Sequence, residues 1–233
     1  MFGITLGRLS RQRKEMRDED FEAFIEGFGN AAYQAFPSAV DNELWKNRLP
    51  DQLLTYWSQE GFSAYADGLF WIVNPSDYED TVEQWLRGSP LSKVDSFHVI
   101  ARSAFGKLYL WGERTGSSVK IVPSANAIIA LSSDLKRSIN DPDFAIRTFF
   151  SARVRSDADL KDEAGSSLFK RILSKVGPLS ATEIYGFNPA LVAGGRMKLE
   201  NLEKVNIFDH LAYLRQLAKP ELPFSDIDIS TLM

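Results

Sequence analysis

Residues 62–73 read FSAYADGLFWIV, two short runs of strand-forming residues on either side of Asp67-Gly68. That pair accepts the positive backbone angles of a tight reversal, so the stretch is predicted as a β-hairpin. Upstream the periodicity changes. Phe21, Phe24, Ile25, Phe28, Ala32 and Phe36 recur three or four positions apart, which predicts a helix stopped near Pro37. Pro50 opens a second helix that carries Leu53, Leu54 and Trp57 and ends at Gly61, because proline suits a first turn and glycine a cap. Downstream, Asn74-Pro75 breaks the strand. Ser76 and Glu79 have the spacing of a capping box for a helix carrying Val82, Trp85 and Leu86 and ended by Gly88.

Working outward, FHVIARSAF (97–105), KLYLWG (107–112), VKIV (119–122) and NAIIAL (126–131) are rich in strand formers and separated by connections too short for helical crossovers. An antiparallel meander follows from that spacing. Asp141-Pro142 begins a short helix through Phe144 and Phe149, and SDADLKDEAGSS (156–167) is a polar link. Beyond it, Leu168, Phe169, Ile172, Leu173 and Val176 form a helical stripe, Ser180 and Glu183 another capping box, and Val205, Phe208, Leu211, Leu214 and Leu217 a final helix. The fold class is therefore α+β: N-terminal helices packed on an antiparallel sheet, then a smaller, mainly helical C-terminal domain. The expected division is a basic arm at 1–18, an α+β domain at 19–135, the helical domain at 136–219 and a tail at 220–233.

Composition narrows the function classes. With 233 residues, 44% hydrophobic and 25% charged, the chain has the make-up of a folded globular protein. Cysteine is absent, which removes disulfides, zinc ribbons, iron-sulfur sites and thiol nucleophiles together. Only His98 and His210 are open to imidazole chemistry, and both are expected to be hydrogen-bonded structural residues. There is no apolar run long enough for a membrane span and no cleavable-signal pattern, so a cytoplasmic location with no membrane partner is expected.

Lys and Arg number 27 against 31 Asp and Glu, a formal charge of -4. Within residues 1–17, Arg8, Arg11, Arg13, Lys14 and Arg17 face one acid, Glu15, so the arm is basic and the remainder strongly acidic. An acidic body is poorly suited to covering phosphates and better matched to a basic partner; direct nucleic-acid binding is left to the arm.

No Walker loop, dinucleotide fingerprint, nucleophile elbow or zinc-spaced histidine pair occurs, so neither catalytic residues nor a cofactor or metal are assigned. Acids cluster twice. Asp18, Glu19, Asp20 and Glu22 stand where a helix N-terminus favours negative charge, and Asp157, Asp159, Asp162 and Glu163 lie in the polar link. SDADLKDEAG misses the central glycine and twelfth-position acid of a calcium loop. In GLFWIVNPSDY (68–78), Phe70 and Trp71 are read as sheet core before contact hot spot. The glycines of GFNPALVAGG (186–195) are read as turn devices.

GFSAYADGLFWIVNPSDYEDTVEQWL (61–86) with ARSAFGKLYLWGE (101–113) resembles the GAD-like domain. GSSLFKRILSKVGPLSATEIYGFNPALVAGG (165–195) with LEKVNIFDHLAYLRQLA (202–218) resembles the C-terminal domain that accompanies it. The pairing is similar to bacterial immunity proteins of type VI secretion, which protect a cell from its own DNase toxin and that of its siblings. The resemblance implies a stoichiometric antidote whose partner is a toxin nuclease domain, with no catalytic residue of its own. It transfers no site motif residue by residue. On physical grounds the toxin-binding candidates are Phe70, Trp71, Asp77, Tyr78, Asp157, Asp159, Asp162 and Glu163. Two other readings stay open at this stage: a metal-dependent hydrolase built on the acidic clusters, and a DNA-binding regulator acting through the basic arm.

Overall fold

A computed structural model describes residues 17–223. Its centre is a seven-stranded antiparallel sheet in sequential order: β1 (Tyr33–Ala35), β2 (Phe62–Tyr65), β3 (Phe70–Ile72), β4 (Phe97–Ser103), β5 (Leu108–Gly112), β6 (Gly116–Val122) and β7 (Ala127–Ala130). The expected hairpin around Asp67-Gly68 forms, with Ala64 paired to Trp71 and Tyr65 to Phe70. Its reversal takes positive φ at Ala66, Asp67 and Gly68, and the Trp71 indole N–H donates to the Gly68 carbonyl at 2.7 Å.

Side chains alternate across the sheet, and both faces are covered. Phe70, Ile72, Tyr109 and Trp111 point into one core; Trp71, Leu108 and Leu110 point into the other. The first core is covered by α1 (Glu19–Phe28), α3 (Asp51–Glu60) and α6 (Pro142–Ser151), whose Phe21, Phe24, Tyr56, Phe149 and Phe150 meet edge-on or tilted. Such ring pairs favour a fixed arrangement over a liquid-like one. The second core is covered by α4 (Glu79–Leu86) and α9 (Ile207–Leu217). Helix α6 thus packs in the same core as α1 and α3, on the N-terminal side of the acidic link.

Several local expectations are corrected by tertiary contacts. The helix expected to reach Pro37 ends at Phe28, because Gly29 takes φ 81° and the chain turns to lay Tyr33–Ala35 beside β2 as an edge strand. Asn74, not Ser76, caps the turn ahead of α4: its side chain accepts from the Ser76 N–H, while the Ser76 hydroxyl accepts from the Trp45 indole. The link 156–167 is ordered, with α7 (Arg155–Ala158) and a bridge between Lys161 and Ser167. Ser180 and Glu183 do bond to each other, yet they precede β8 (Glu183–Phe187) instead of a helix. Strand β8 pairs with β9 (Leu202–Asn206), which claims Val205 and delays the last helix until Ile207. The remaining helices are α2 (Ala39–Trp45), α5 (Ser132–Lys136) and α8 (Phe169–Val176).

The two parts of the chain are joined through buried groups. Arg102 on β4 donates to the Ala181 carbonyl at 2.9 Å, and the Tyr185 N–H on β8 donates to the Ala104 carbonyl at 2.8 Å. On the far edge, Glu221 exchanges backbone bonds with Asn126 and Ile128, which covers part of β7. Most of the expected arm and tail, 1–16 and 224–233, lies outside the described residues; Arg17 is held by Glu60 at 2.7 Å.

Candidate protein-binding surface

One end of the sheet combines an open strand edge, exposed apolar side chains and an excess of acidic residues. Gly61 turns the chain from α3 into β2 and lies against the backbone of Ala35, which sets β1 on the outside of the sheet. Among the described residues no strand pairs with the outer side of β1. After it, Ser38 and Asp41 form a capping box that starts α2, a helix of about two turns with two unlike faces. Trp45 is wholly buried, its ring packed on His98 and under the Arg48 guanidinium. Val40 and Leu44, one turn apart, face solvent, and Val40 is 75% exposed. Tyr33 on β1 and Phe36 just after it, the residues that lead into this helix, are exposed as well, and these four side chains make up the ridge.

The acids next to the ridge belong to two segments tied together by hydrogen bonds. Asn74 donates to Asp41 at 3.0 Å, and Trp45 to Ser76 at 3.1 Å. Residues 33–45 and 74–86 contain Asp41, Glu43, Asp77, Glu79, Asp80 and Glu83 and no Lys or Arg. Hydrogen bonds from Ser38, chiefly its side chain, hold the Asp41 carboxyl below the usual carboxylate range, with Asn74 contributing. Asp77 is pushed the other way, by burial and then by the nearby charge of Asp41. A cavity of about 160 Å³ opens between Tyr33, Phe62, Trp71, Asp77, Tyr78 and Phe208.

A second cavity, about 510 Å³, lies between α4 and the start of β4 and is lined by Arg48, Glu79, Glu83, Arg87, Asp95 and His98. On its wall the His98 Nε2 meets Glu113 at 2.8 Å, and Glu113 also accepts from Arg48 at 3.0 Å. Burial lowers the His98 pKa, Glu113 opposes that, and Arg48 adds to it, so the imidazole is held neutral near pH 7. This trio fastens the α2–α3 turn to β5. Glu113 and Arg48 carried no signal in the sequence, since 65 residues separate them.

The sequence candidates are not brought together. Phe70, Trp71 and Tyr78 are at most 3% exposed and serve the two cores, so in this conformation none of them meets a partner directly. Asp77 is exposed and stands beside the ridge. In the link, Asp159 accepts from the Phe169 N–H at 2.9 Å, Asp162 bonds Ala164, Ser166 and Arg171, and Glu163 pairs with Arg196. Only Asp157 of these four is free of a side-chain hydrogen bond among the described residues, and Lys107 and Lys120 feel its charge. No group of three or more His, Cys, Asp or Glu is placed to hold a metal ion among the described residues, and no helix there is long and apolar enough to cross a membrane.

Comparison with known families matches the GAD-like domain over residues 19–124 and the C-terminal domain of the T6SS immunity protein Tdi1 over residues 143–218. The chain has the domain architecture of a type VI secretion immunity protein. Its fold recurs in a crystal structure of Atu4351 from Agrobacterium tumefaciens, with a TM-score of 0.77 and 22% identity, covering 87% of this chain and 91% of that one. At that identity the likeness speaks for the fold. No curated protein is a significant match. In the immunity-protein architecture the ridge and its acids all fall within the GAD-like domain, whereas the acidic link enters the Tdi1-type domain.

Proposed function

We propose that this protein neutralises a DNase toxin of the type VI secretion system by binding its nuclease domain one to one, in the cytoplasm of the cell that makes it. The observation that carries the reading is an acidic, apolar-centred face on a chain with immunity-protein architecture. A nuclease must hold a phosphate backbone, so its working surface is basic, and an inhibitor of opposite sign is steered towards it and competes with DNA for it. Inhibition of this kind asks for complementary packing and slow dissociation, and for no bond-making by the inhibitor's own side chains.

The test is co-expression with the toxin encoded by the adjacent reading frame, followed by titration of purified protein into a plasmid-cleavage assay. Cleavage should fall linearly and stop near one equivalent. Full cleavage in the presence of excess protein would overturn the reading.

A further inference from the structure

We propose that the toxin docks on the ridge of Tyr33, Phe36, Val40 and Leu44, presenting a basic segment with an apolar centre that runs beside the open edge of β1. The inference rests on the nuclease-inhibitor reading and names the surface which that reading leaves open.

Three observations converge on this face. Tyr33, Phe36, Val40 and Leu44 are four of the large exposed apolar side chains and fall within twelve successive residues; Leu131, Phe144 and Val154 stand singly elsewhere, and Tyr213 and Leu217 form a smaller pair one turn apart on α9. A concentrated apolar patch marks an interaction site more often than scattered single residues do. Second, segments 33–45 and 74–86 contribute six acids and no base; Glu83 is paired with Arg87 and Glu79 shares a cavity with Arg48, so the acidic excess open to a partner rests on Asp41, Glu43, Asp77 and Asp80 and favours a basic one. Third, β1 is an edge strand whose neighbouring cavity of about 160 Å³, between Tyr33, Phe62 and Asp77, is large enough for one apolar side chain of a strand laid alongside.

The same features weigh against other occupants. A symmetric dimer through this face would bring Asp41, Glu43, Asp77 and Asp80 of one copy towards those of the other, which costs free energy at low and moderate salt. Nucleic acid would meet like charge. A basic protein surface meets opposite charge at the rim and apolar contact at the centre, the usual anatomy of a tight interface.

The experiment measures association and dissociation between the full chain and the toxin encoded by the adjacent reading frame, at low and high salt. All substitutions are at exposed positions, and unchanged thermal melts confirm folding. The paired change Val40→Lys with Leu44→Lys should weaken affinity roughly a hundredfold, through faster dissociation as apolar contact is lost and slower association as positive charge is added, and only the second effect should fade with salt. Glu43→Lys with Asp80→Lys should slow association about tenfold at low salt, a difference that shrinks as salt rises.

If the unaltered protein binds and protects while both pairs behave like it, the docking proposal is wrong and the inhibitor reading survives. Loss confined to Asp157→Lys would put the toxin on the acidic link and likewise overturn the proposal. So would a dimer that Val40→Lys with Leu44→Lys dissociates without touching toxin affinity, since the occupant would then be a second copy. Failure of the unaltered protein to bind at all removes the inhibitor reading itself.

Discussion

The Arg102 guanidinium lies 4.4 Å over the Trp71 ring, completely buried, and spans from the central strand β4 to the carbonyl of Ala181 ahead of β8. Burial pulls its pKa down, and neighbouring Tyr78 works in the opposite direction. A guanidinium stays charged under all ordinary conditions, so the charge must be met by the ring face and by carbonyl oxygens. This one side chain links the GAD-like sheet to the Tdi1-type hairpin.

Arg102→Ala should therefore lower the unfolding free energy by about 3 kcal/mol, the combined scale of a desolvated cation-ring contact and a charged hydrogen bond. Arg102→Lys should restore less than half of that, because an ammonium neither stacks nor forks. Urea unfolding followed by Trp fluorescence measures both; a loss under 1 kcal/mol for Ala would mean that the two domains are held together by other contacts.

The His98 site sets a direction for pH dependence. Its pKa in the folded protein is below the ordinary 6.5, so the unfolded chain binds the proton more readily. Stability from this group is complete above pH 6.5 and is lost as pH falls through the folded value. Glu113 acts in the same sense further down: burial would raise its pKa, but hydrogen bonds from His98 and Arg48 outweigh that and hold it below 4.5. His98→Gln should reduce the fall in melting temperature below pH 6.5, leaving the slope contributed by His210, whose pKa burial also lowers. Glu113→Gln should steepen it, since the imidazolium loses its counter-charge. A pH series of thermal melts decides both, and an unchanged slope in His98→Gln would refute the assignment.

Gly61 couples the end of α3 to the position of β1. It holds φ +73°, and a Cβ there would come within 2.7 Å of the Ala35 carbonyl oxygen, which is backbone and cannot swing away. Gly61→Ala should cost roughly 1–3 kcal/mol from the combined strain and clash. It should also raise hydrogen exchange of the Tyr33–Ala35 amides ahead of the remaining sheet, and protection equal to the parent would show that β1 does not depend on this approach.

Asp159 separates a structural role from a contact role. Its Oδ1 accepts from the Leu160 and Phe169 N–H groups and so supports the start of α8. Asp159→Ala should lose about 1 kcal/mol of stability, as an amide left without its cap does, with toxin association unchanged. Slower association at full stability would return the acidic link to the interface.

The primary structure alone determined the parts that rest on local rules. Periods of two and of three to four residues are intrinsic to strand and helix, so the hairpin around Asp67-Gly68, the meander from Phe97 and the helices at Pro50 and Asp141-Pro142 were legible, and with them the α+β class. Composition likewise set the acidic character, and the long quoted stretches carried the family likeness. Caps and boundaries were legible only where no distant group competed. The capping spacings at Ser76 and Ser180 were real spacings, but Trp45 claimed one hydroxyl and the β8–β9 ladder claimed the other segment. Alternation could not tell which of Phe70 and Trp71 would see solvent, because helices cover both faces of the sheet and neither does.

The proposed interaction surface rests wholly on tertiary structure. Val40, Leu44, Glu43 and Asp80 belong to no motif in the sequence. The segments that carry them meet only because Asn74 bonds Asp41 and Ser76 bonds Trp45, more than thirty positions away along the chain. Side chains that are scattered in sequence acquire a common function through burial of the groups between them, and burial is a property of the packed chain as a whole.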